Sequence, residues 1–391
     1  MRKSDNLNLN IFIDALGWEI LQKNNFLTEI APQRKKIDTV FGYSSTCDPT
    51  ILTGVSPREH DHFTFYTYDP ENSPFKYYKV LSIFPKFLMN RGRVRSKLSQ
   101  IVNKLHGFTG YFQLYNMPFH WLHLFDYTEQ KNIFEPNGIN GKQDTIFDTL
   151  RDTNINFCRP KGYDEEQSFA EAHDALKDSE VEFVYLFLGK LDAILHQYGT
   201  DAPEVTEHLK WYEGKIQQLM AFAEKQYSNV HLSIFSDHGM TDILESVDVQ
   251  QIIKKNCPDL KYNKDYVGIY DSTMARFWFF NDQARERIHQ VLNDIETGDI
   301  LSDTELEALE CNFKNNRYGE TMFLMKPGRL IVPSHMGEKP LKGMHGYHPD
   351  DKTSAAALLT NMSIPDNVNR LSDLRDYMQS NLEIGNLKIA S

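Results

Sequence analysis

Short apolar segments that end in acidic loops recur along this chain. Alternating apolar and polar positions predict a strand, and a nearly continuous apolar run is typical of a parallel strand buried on both faces. Both patterns occur here, each followed by a loop that carries an aspartate. The predicted strands are residues 7–13 before Asp14, residues 181–188 before Asp192 and residues 230–235 before Asp237.

An amphipathic helix connects the second and third of these strands. Apolar residues recur at spacings of three and four from Val205 to Ala223, so one face of this helix can pack on a sheet. Strand, helix and strand in this order form a βαβ unit. The sequence therefore predicts an α/β fold with a mostly parallel central sheet flanked by helices. The acidic loops should meet at one edge of that sheet, where open α/β folds place their chemistry.

Two segments depart from this pattern of alternating strands and helices. Residues 63–140 are rich in aromatic and basic residues, and residues 255–333 combine short strands with a predicted helix near residues 281–293. We interpret both as insertions into one catalytic domain that spans residues 1–391. We expect them to form a smaller lid or cap over its active site.

The bulk composition limits the possible partners. With 391 residues, 40% apolar and 25% charged, the chain can bury a large core and falls outside the disordered and fibrous classes. Its formal charge of −12 argues against a nucleic-acid polymer, because such a partner selects a basic face. We interpret the local basic stretch Arg91 to Lys97 as a solvated face.

Cysteine usage and the apolar pattern bear on the compartment. The four cysteines are widely separated, with neither a CxxC pair nor a dense framework, so we expect reduced thiols. The polar N-terminus lacks the pattern of a signal peptide, and no apolar run reaches the ~18 residues of a membrane span. These features predict a cytoplasmic protein without a membrane span.

Six acidic and imidazole side chains lie near the ends of predicted strands or beside glycines. Asp192 and His196 are four residues apart and would share one face of a helix, so both can contact one ion. Three carboxylates with three imidazoles suit two divalent ions such as zinc or manganese, and disfavour calcium and copper. The candidate ligands are Asp14, Asp192, His196, Asp237, His238 and His345.

Other histidines and aromatic residues lie just after the first candidate segment. His60 and His62 have no third candidate ligand nearby in the sequence, so we expect them at the surface or in the lid. The aromatic residues that follow suit either a stacking surface for a base or sugar, or an ordinary lid core. They are Phe63, Phe65, Tyr66 and Tyr68.

A cluster of hydroxyl residues follows the predicted strand 36–41 and precedes a helix-like run that ends at Gly54. A hydroxyl at such a junction lies near a helix N-terminus, where backbone amides and the helix dipole favour a phosphoryl group. Ser44, Ser45 and Thr46 are therefore candidate nucleophiles. The alternative interpretation is a serine-rich helix cap without a catalytic role.

The order of these motifs resembles the alkaline phosphatase superfamily, and within it the nucleotide pyrophosphatase/phosphodiesterase branch. Five ordered motifs carry the resemblance, far more than a single pattern match, and they imply an alkaline phosphatase-like fold. In chain order they are Asp14, a hydroxyl nine residues before Thr53-Gly54, Asp192-x-x-x-His196-x-x-Gly199, Ser236-Asp237-His238-Gly239-Met240 and Gly343-x-His345-Gly346-Tyr347.

The resemblance also implies roles for these residues. It implies two divalent ions as cofactors, with zinc favoured and manganese possible. It further implies that Ser44 is the nucleophile, from its spacing to Thr53, with Ser45 and Thr46 as alternatives. The implied ligands are Asp192, His196 and His345 for one ion, and Asp14, Asp237, His238 and the Ser44 oxygen for the other.

The implied function is a hydrolase that cleaves phosphodiester or pyrophosphate bonds of a small-molecule phosphate ester through a phosphoseryl intermediate. A phosphomonoesterase or a metal-dependent phosphomutase is the alternative, and a non-catalytic binding homologue is a further one. The sulfatase branch is disfavoured, because its Cys-x-Pro-x-Arg motif is matched here by Ser44, Thr46 and Asp48. Phe65 stands where phosphodiesterase relatives carry a phosphate-contacting asparagine, so nucleotide specificity is not implied.

Overall fold

The computed structural model of the protein describes residues 4–84, 89, 91–162 and 164–387. Its central element is a six-stranded sheet, in which β1, β5, β6 and β7 run parallel and β16 is antiparallel to both of its neighbours. The predicted α/β class with a mostly parallel sheet is confirmed. The spatial order is β2 (Gln33–Ile37), β16 (Ala356–Thr360), β7 (Asn229–Phe235), β1 (Asn6–Ile13), β6 (Phe183–Leu188) and β5 (Phe157–Cys158).

The strand β1 lies in the middle of the sheet and is buried along its whole length. Its alternating residues do not separate core from solvent, since helices cover both faces of the sheet. Leu9 and Ile11 pack on one face. The polar residues are buried as well, and the Asn10 side-chain amide donates a hydrogen bond of 3.4 Å to the Asn8 carbonyl oxygen. Pairing inside the fold therefore satisfies the Asn10 amide nitrogen, whereas Asn8 Oδ1 is buried without a hydrogen-bond partner among the described residues.

Two layers of helices sandwich the sheet. In the helix Pro203–Gln226, Leu209, Tyr212 and Ile216 are buried at the spacings that the sequence predicts, and Pro203 occupies the first turn. One face is covered by α1 (Trp18–Lys23), α6 (Glu165–Ala175), α7 (Lys190–Tyr198) and α8 (Pro203–Gln226). The opposite face is covered by α2 (Ser44–Thr53), α5 (Ile146–Asp152) and α12 (Asp373–Leu387).

The strand before the hydroxyl cluster lies earlier than predicted. The sequence pattern indicates a strand over residues 36–41, whereas β2 ends at Ile37, where its antiparallel pairing with β16 ends. The chain then forms a loop in which the Thr39 hydroxyl donates a hydrogen bond of 2.7 Å to the carbonyl oxygen of Asp237. This contact ties the approach to α2 to the end of β7.

The segment 63–140 is mostly irregular and aromatic. Its described residues include a short antiparallel strand pair, a long helix, and 3-10 helices at residues 78–83 and 122–124. The four-residue helix α3 (Pro57–His60) precedes it. Its regular elements are β3 (Tyr66–Tyr68), β4 (Phe125–Tyr127) and α4 (Gly92–His106).

The segment 255–333 forms a second, antiparallel sheet. The helix predicted near residues 281–293 is present as α10 (Asp282–Asn293), capped by the Asn281 side chain, which accepts a hydrogen bond from the Ala284 amide. The sheet order is β10 (Tyr266–Tyr270), β11 (Met274–Phe279), β13 (Thr321–Met325) and β12 (Gly298–Ile300), and α11 (Asp303–Ala308) follows β12. Short elements around this segment are β8 (Thr241–Asp242), β9 (Glu245–Val247), α9 (Val249–Asn256), β14 (Arg329–Ile331) and β15 (Gly343–Met344).

A buried arginine joins the two irregular segments. Arg276 is fully buried in β11, and its Nε lies 2.8 Å from the Asp271 carboxylate. Its remaining nitrogens donate hydrogen bonds to the carbonyl oxygens of Tyr318 and Tyr66. A buried guanidinium requires this degree of pairing. The pairing also holds Asp271 in place in the wall of the cavity described below.

All four cysteines are free thiols. Among the described residues, no helix combines the length and apolar character needed to cross a bilayer.

Candidate active site

The strand order brings the acidic loops together. Asp14 follows β1 directly, Asp237 lies two residues after β7, and Asp192 lies in the first turn of the helix after β6. Because β7, β1 and β6 are adjacent parallel strands, their carboxyl ends lie side by side at one edge of the sheet. The sequence-predicted carboxylates therefore meet.

Asp192, His196 and His345 form the first ligand group, with one ligand atom from each residue within 4.8 Å of the others. The Asp192 Oδ1 lies 3.2 Å from His196 Nε2 and 3.7 Å from His345 Nε2. The His196 Nδ1 donates to the carbonyl oxygen of Gly343 at 2.8 Å, which leaves Nε2 with its lone pair toward the group. Burial opposes ionisation of Asp192, but the neighbouring imidazoles of His196, His345 and His238 together outweigh it and lower the pKa of the carboxyl.

Asp14, Asp237 and His238 form the second group, within the same 4.8 Å limit. The His238 Nε2 lies 3.0 Å from Asp237 Oδ2 and 3.6 Å from Asp14 Oδ1, and its Nδ1 donates to the Gly239 carbonyl oxygen at 2.9 Å. Ala15 has a left-handed backbone with φ 61°, and its amide donates to Asp237 Oδ1. Such a conformation costs energy in a non-glycine residue and is frequent at functional sites.

The two groups are neighbours. The rings of His238 and His345 stack with centroids 3.7 Å apart and planes 11° from parallel. Two motif glycines lie close against neighbouring loops. A Cβ on Gly239 would lie 2.1 Å from the Thr353 carbonyl oxygen, and Gly346 has φ 84° with Tyr43 against it. Larger residues at these positions would push the loops apart.

The chemistry of both groups fits divalent cations. Asp14 Oδ1, Asp192 Oδ1 and Asp237 Oδ2 are buried without a hydrogen-bond donor, and burial followed by the charges of Asp237 and Asp192 holds the pKa of Asp14 well above its usual range. Burial and the neighbouring His238 lower the pKa of His345, which keeps that imidazole neutral. Converging carboxylates and imidazoles are the donors that zinc or manganese accepts.

The structure separates the three candidate hydroxyls. Ser44 Oγ lies 3.1 Å from His238 Nε2, beside the second ligand group. Ser45 Oγ and Thr46 Oγ1 instead both donate hydrogen bonds to the carbonyl oxygen of Phe63, at 2.9 and 2.6 Å. Ser44 is also the first residue of α2, where the positive end of the helix dipole faces the ligand groups. Of the three, only Ser44 directs its oxygen toward the carboxylates and imidazoles.

A cavity of about 870 Å³ opens beside the ligand groups. Its wall includes Ser44 and, from the segment 63–140, the aromatic rings of Phe65, Tyr111 and Tyr115. Phe65 stacks in parallel on Tyr127 with ring centroids 5.8 Å apart. The other aromatic residues considered for a stacking surface lie elsewhere: Phe63 and Tyr66 are buried in the core, and Tyr68 packs on Trp278 and Phe280.

His60 and His62 were expected at the surface or in the lid, and the surface position is wrong, because both are fully buried. The Nε2 atom of His60 is 2.9 Å from the Thr50 hydroxyl oxygen, and the Asn140 amide donates to His62 Nε2 at 3.0 Å. These imidazoles tie α2, α3 and the end of the segment 63–140 together, so their role is structural.

Three acidic residues of the cavity wall escaped the sequence analysis: Asp48, Glu129 and Asp271. Asp48 lies one helical turn after Ser44, and this i, i+4 spacing is the signal that could have revealed it. Burial and the charge of Asp237 raise the pKa of Asp48 well above its usual range. Glu129 and Asp271 carry no comparable signal, since only the packing of distant segments brings them to the cavity.

Glu129 should make stability depend on pH. Its side chain is buried, and burial raises the pKa of this carboxyl from 4.5 to about 8. The stabilisation from the neutral form is thus fully present below pH 4.5 and is lost as the pH rises through about 8. In metal-free protein, Glu129→Gln should therefore be more stable than the wild type at pH 9 and equal to it near pH 4.5, as measured by urea denaturation. The gain should be a few kcal/mol at most, since one pKa unit corresponds to about 1.4 kcal/mol.

Glu286→Gln is the matched control for this prediction, because it removes an exposed carboxyl on α10. It should leave the difference between the two pH values unchanged. A Glu129→Gln protein whose stability follows that of the wild type at every pH would contradict the prediction.

Comparison with solved structures shows the same architecture. Human ectonucleotide pyrophosphatase/phosphodiesterase 5 is 14% identical with a TM-score of 0.67, over 98% of this chain and 95% of that chain. The murine protein is 15% identical with a TM-score of 0.67, over 98% of this chain and 95% of that chain. The inactive variant of the murine protein, in complex with AMP, is 15% identical with a TM-score of 0.67, over 97% of this chain and 95% of that chain. At this identity the neighbours establish the fold, and the predicted alkaline phosphatase-like architecture is confirmed.

A family model for type I phosphodiesterase/nucleotide pyrophosphatase matches residues 8–348. The match contains all five motifs on which the resemblance rests, from Asp14 to Tyr347. The resemblance is confirmed, and with it the prediction of a hydrolase. The chain belongs to the type I phosphodiesterase/nucleotide pyrophosphatase family and is a hydrolase of that family.

Proposed function

We propose that this hydrolase uses two divalent ions and a serine nucleophile to cleave phosphodiester or pyrophosphate bonds of a small-molecule substrate. The observation that carries the proposal is the convergence of six ligand candidates from distant parts of the chain beside the oxygen of Ser44. Two adjacent ligand groups next to one hydroxyl match the requirements of phosphoryl transfer.

The first ion would be held by Asp192, His196 and His345. The second would be held by Asp14, Asp237 and His238, with Ser44 Oγ as a further ligand. Zinc is favoured and manganese is possible, because each group mixes carboxylate oxygen with imidazole nitrogen. When bound, the ions would acidify the Ser44 hydroxyl and neutralise charge on the phosphoryl oxygens.

Ser44 is proposed as the nucleophile because Ser45 and Thr46 are committed to the Phe63 carbonyl oxygen. Its oxygen attacks phosphorus, the bond from phosphorus to the leaving oxygen breaks, and a phosphoseryl intermediate forms. The N-terminal amides of α2 favour the negative charge of the phosphoryl group during this step. Water then attacks phosphorus from the opposite side and releases Ser44, so the configuration at phosphorus is retained.

The cavity supports a substrate larger than a phosphate monoester. A volume of about 870 Å³ lies within the range of small-molecule sites, and Phe65 offers an aromatic face in its wall. The AMP complex of the murine neighbour supports a phosphate ester of this size. The carboxyl side chains of Asp48 and Glu129 line the same space.

A substrate panel tests this function. The metal-loaded protein should cleave bis-p-nitrophenyl phosphate with a kcat/KM on the order of tenfold or more above that for p-nitrophenyl phosphate. A nucleotide sugar in the same panel tests pyrophosphate cleavage. Preference for the monoester would favour a phosphomonoesterase or phosphomutase instead. Failure to cleave any member of a broad panel, with both ions bound, would favour a binding protein without turnover.

We also propose that the protein works in a reducing, cytoplasmic compartment. The four free thiols support this location, since disulfides accumulate in oxidising compartments. Cell fractionation that finds the protein in an oxidising compartment would contradict it.

A further inference from the structure

The charge of this chain is distributed unevenly. Residues 72–125 contain eight Lys or Arg and no Asp or Glu, whereas the other 337 residues contain 34 Lys or Arg and all 54 Asp or Glu. The basic segment therefore stands out in an acidic protein. Arg95 is buried and donates hydrogen bonds to the carbonyl oxygens of Met89 and Met117, so its role is structural. Among the described residues of the segment 72–125, the exposed basic residues are Lys76, Lys79, Arg91, Arg93, Lys97 and Lys104.

The same segment exposes large apolar side chains. Tyr77 is 86% exposed, Ile83 is 79% exposed and Leu105 is 72% exposed. Single exposed apolar residues are normal on a protein surface, but a cluster of them marks a site of interaction. Together with the six basic residues they form what we call the basic-apolar surface. Its apolar members are Tyr77, Val80, Ile83, Phe84, Ile101 and Leu105.

Packing joins the two parts of this surface. The Tyr78 hydroxyl lies 3.0 Å from His106 Nε2, so the turn at residues 78–83 is held against the C-terminal end of α4. On α4, Val102 is buried and Leu98 packs on the core. Lys97, Ile101, Lys104 and Leu105 remain exposed. The helix thus has one face anchored in the protein and a second, basic and apolar, face turned to solvent.

We propose that the basic-apolar surface binds the interface of an anionic lipid bilayer. Apolar side chains beside Lys and Arg are the composition of helices that lie in a membrane interface, with the rings and alkyl groups among the acyl chains and the cations at the lipid phosphates. In the described part of the chain, none of the six basic residues forms an ion pair that would neutralise it. A nucleic-acid backbone would leave the apolar members without a partner, and the surface contains no acidic residue to pair with a basic protein.

Binding at this surface would orient the active site. α4 ends at His106 and is capped by Gly107, and Thr109, Gly110 and Tyr111, which follow within a few residues, belong to the wall of the active-site cavity. A chain of ring contacts continues inward from His106 through Phe108 to Tyr127. The helix that meets the lipid is therefore directly connected to the cavity rim. The proposal does not depend on the reaction that the cavity catalyses.

Vesicle sedimentation tests the proposal. The full-length protein should sediment with vesicles of equimolar phosphatidylglycerol and phosphatidylcholine, bind less at high ionic strength, and bind vesicles of phosphatidylcholine alone much more weakly. The double variants Lys97→Glu/Lys104→Glu and Ile101→Ser/Leu105→Ser should each lower the partition coefficient by about tenfold or more. Cleavage of a soluble phosphate ester by these variants should match that of the wild type, which shows that they are folded.

Two variants serve as matched controls. Lys254→Glu/Lys255→Glu reverses two exposed charges on α9, and Leu244→Ser removes an exposed apolar residue far along the chain from the segment. Both should bind anionic vesicles as the wild type does. The proposal is overturned if the wild type fails to bind anionic vesicles, if it binds neutral vesicles equally well, or if the control variants lose as much binding as the α4 variants. It is also overturned if sedimentation velocity shows a dimer that the α4 substitutions dissociate while vesicle binding is absent.

Discussion

Replacing Ser44 by alanine is expected to reduce the turnover of phosphodiesters by about a thousandfold or more, because no covalent intermediate can then form. The fold should be retained, since Ser44 is only half-buried and its hydroxyl contacts His238 rather than the core. The ion content should also remain as in the wild type, because both groups keep their three carboxylate and imidazole ligands. Steady-state kinetics and elemental analysis of the same preparation measure both quantities.

The neighbouring hydroxyls provide the controls. Ser45→Ala and Thr46→Val each remove one of the two hydrogen bonds to the Phe63 carbonyl oxygen. The expected effect is a loss of about 1 kcal/mol of stability, with turnover within tenfold of the wild type. Wild-type turnover in Ser44→Ala, together with loss of turnover in one of the other two variants, would show that the nucleophile has been assigned to the wrong residue.

Chelation of the ions is expected to abolish turnover and to lower the thermal stability of the protein. Asp14, Asp192 and Asp237 each present a buried oxygen without a hydrogen-bond donor, so loss of the cations leaves converging carboxylates without compensation. Ions at a free concentration 1,000 times their dissociation constant would stabilise the protein by about 4 kcal/mol per site. Calorimetry before and after chelation, with zinc or manganese added back, measures the change.

Substitution of one ligand in each group separates the two sites. Asp192→Asn and Asp14→Asn should each reduce the bound ions from two per chain toward one and lower turnover by about a thousandfold, in keeping with a contribution of several kcal/mol per ion. Asp271→Asn is the control, because Asp271 lines the cavity but pairs with Arg276. It should leave the ion content unchanged. Full activity of the chelated protein would refute a role for the ions in the reaction.

Much of the candidate site could be predicted because its residues follow predicted strands. Asp14, Asp192 and Asp237 each come shortly after an apolar run, and parallel strands place such positions at one edge of a sheet. His196 is one helical turn after Asp192, so local geometry already pairs them. The structure places all of these residues together, while their roles as ligands, and that of Ser44 as nucleophile, remain predictions for the experiments above.

Other features could not be predicted because they depend on contacts between distant segments. The end of β2 is set by its pairing with β16, more than three hundred residues later in the chain. The burial of His60 and His62 depends on Thr50 and Asn140. A pattern of residue types contains no information about which segments cover a loop, so these histidines were expected at the surface or in the lid.

Periodicity along the chain is enough to indicate the class of the fold, because it reflects interactions between near neighbours. The five ordered motifs indicate the family and the candidate ligands through their resemblance to known relatives. Which hydroxyl faces the ligands, the entry of Glu129 into the same cavity, and the single surface formed by basic and apolar residues become visible in the folded chain alone. The direction of a side chain and its access to solvent depend on what packs against it, and that partner often comes from a distant segment. For Ser45 and Thr46 that partner is a single carbonyl oxygen of Phe63.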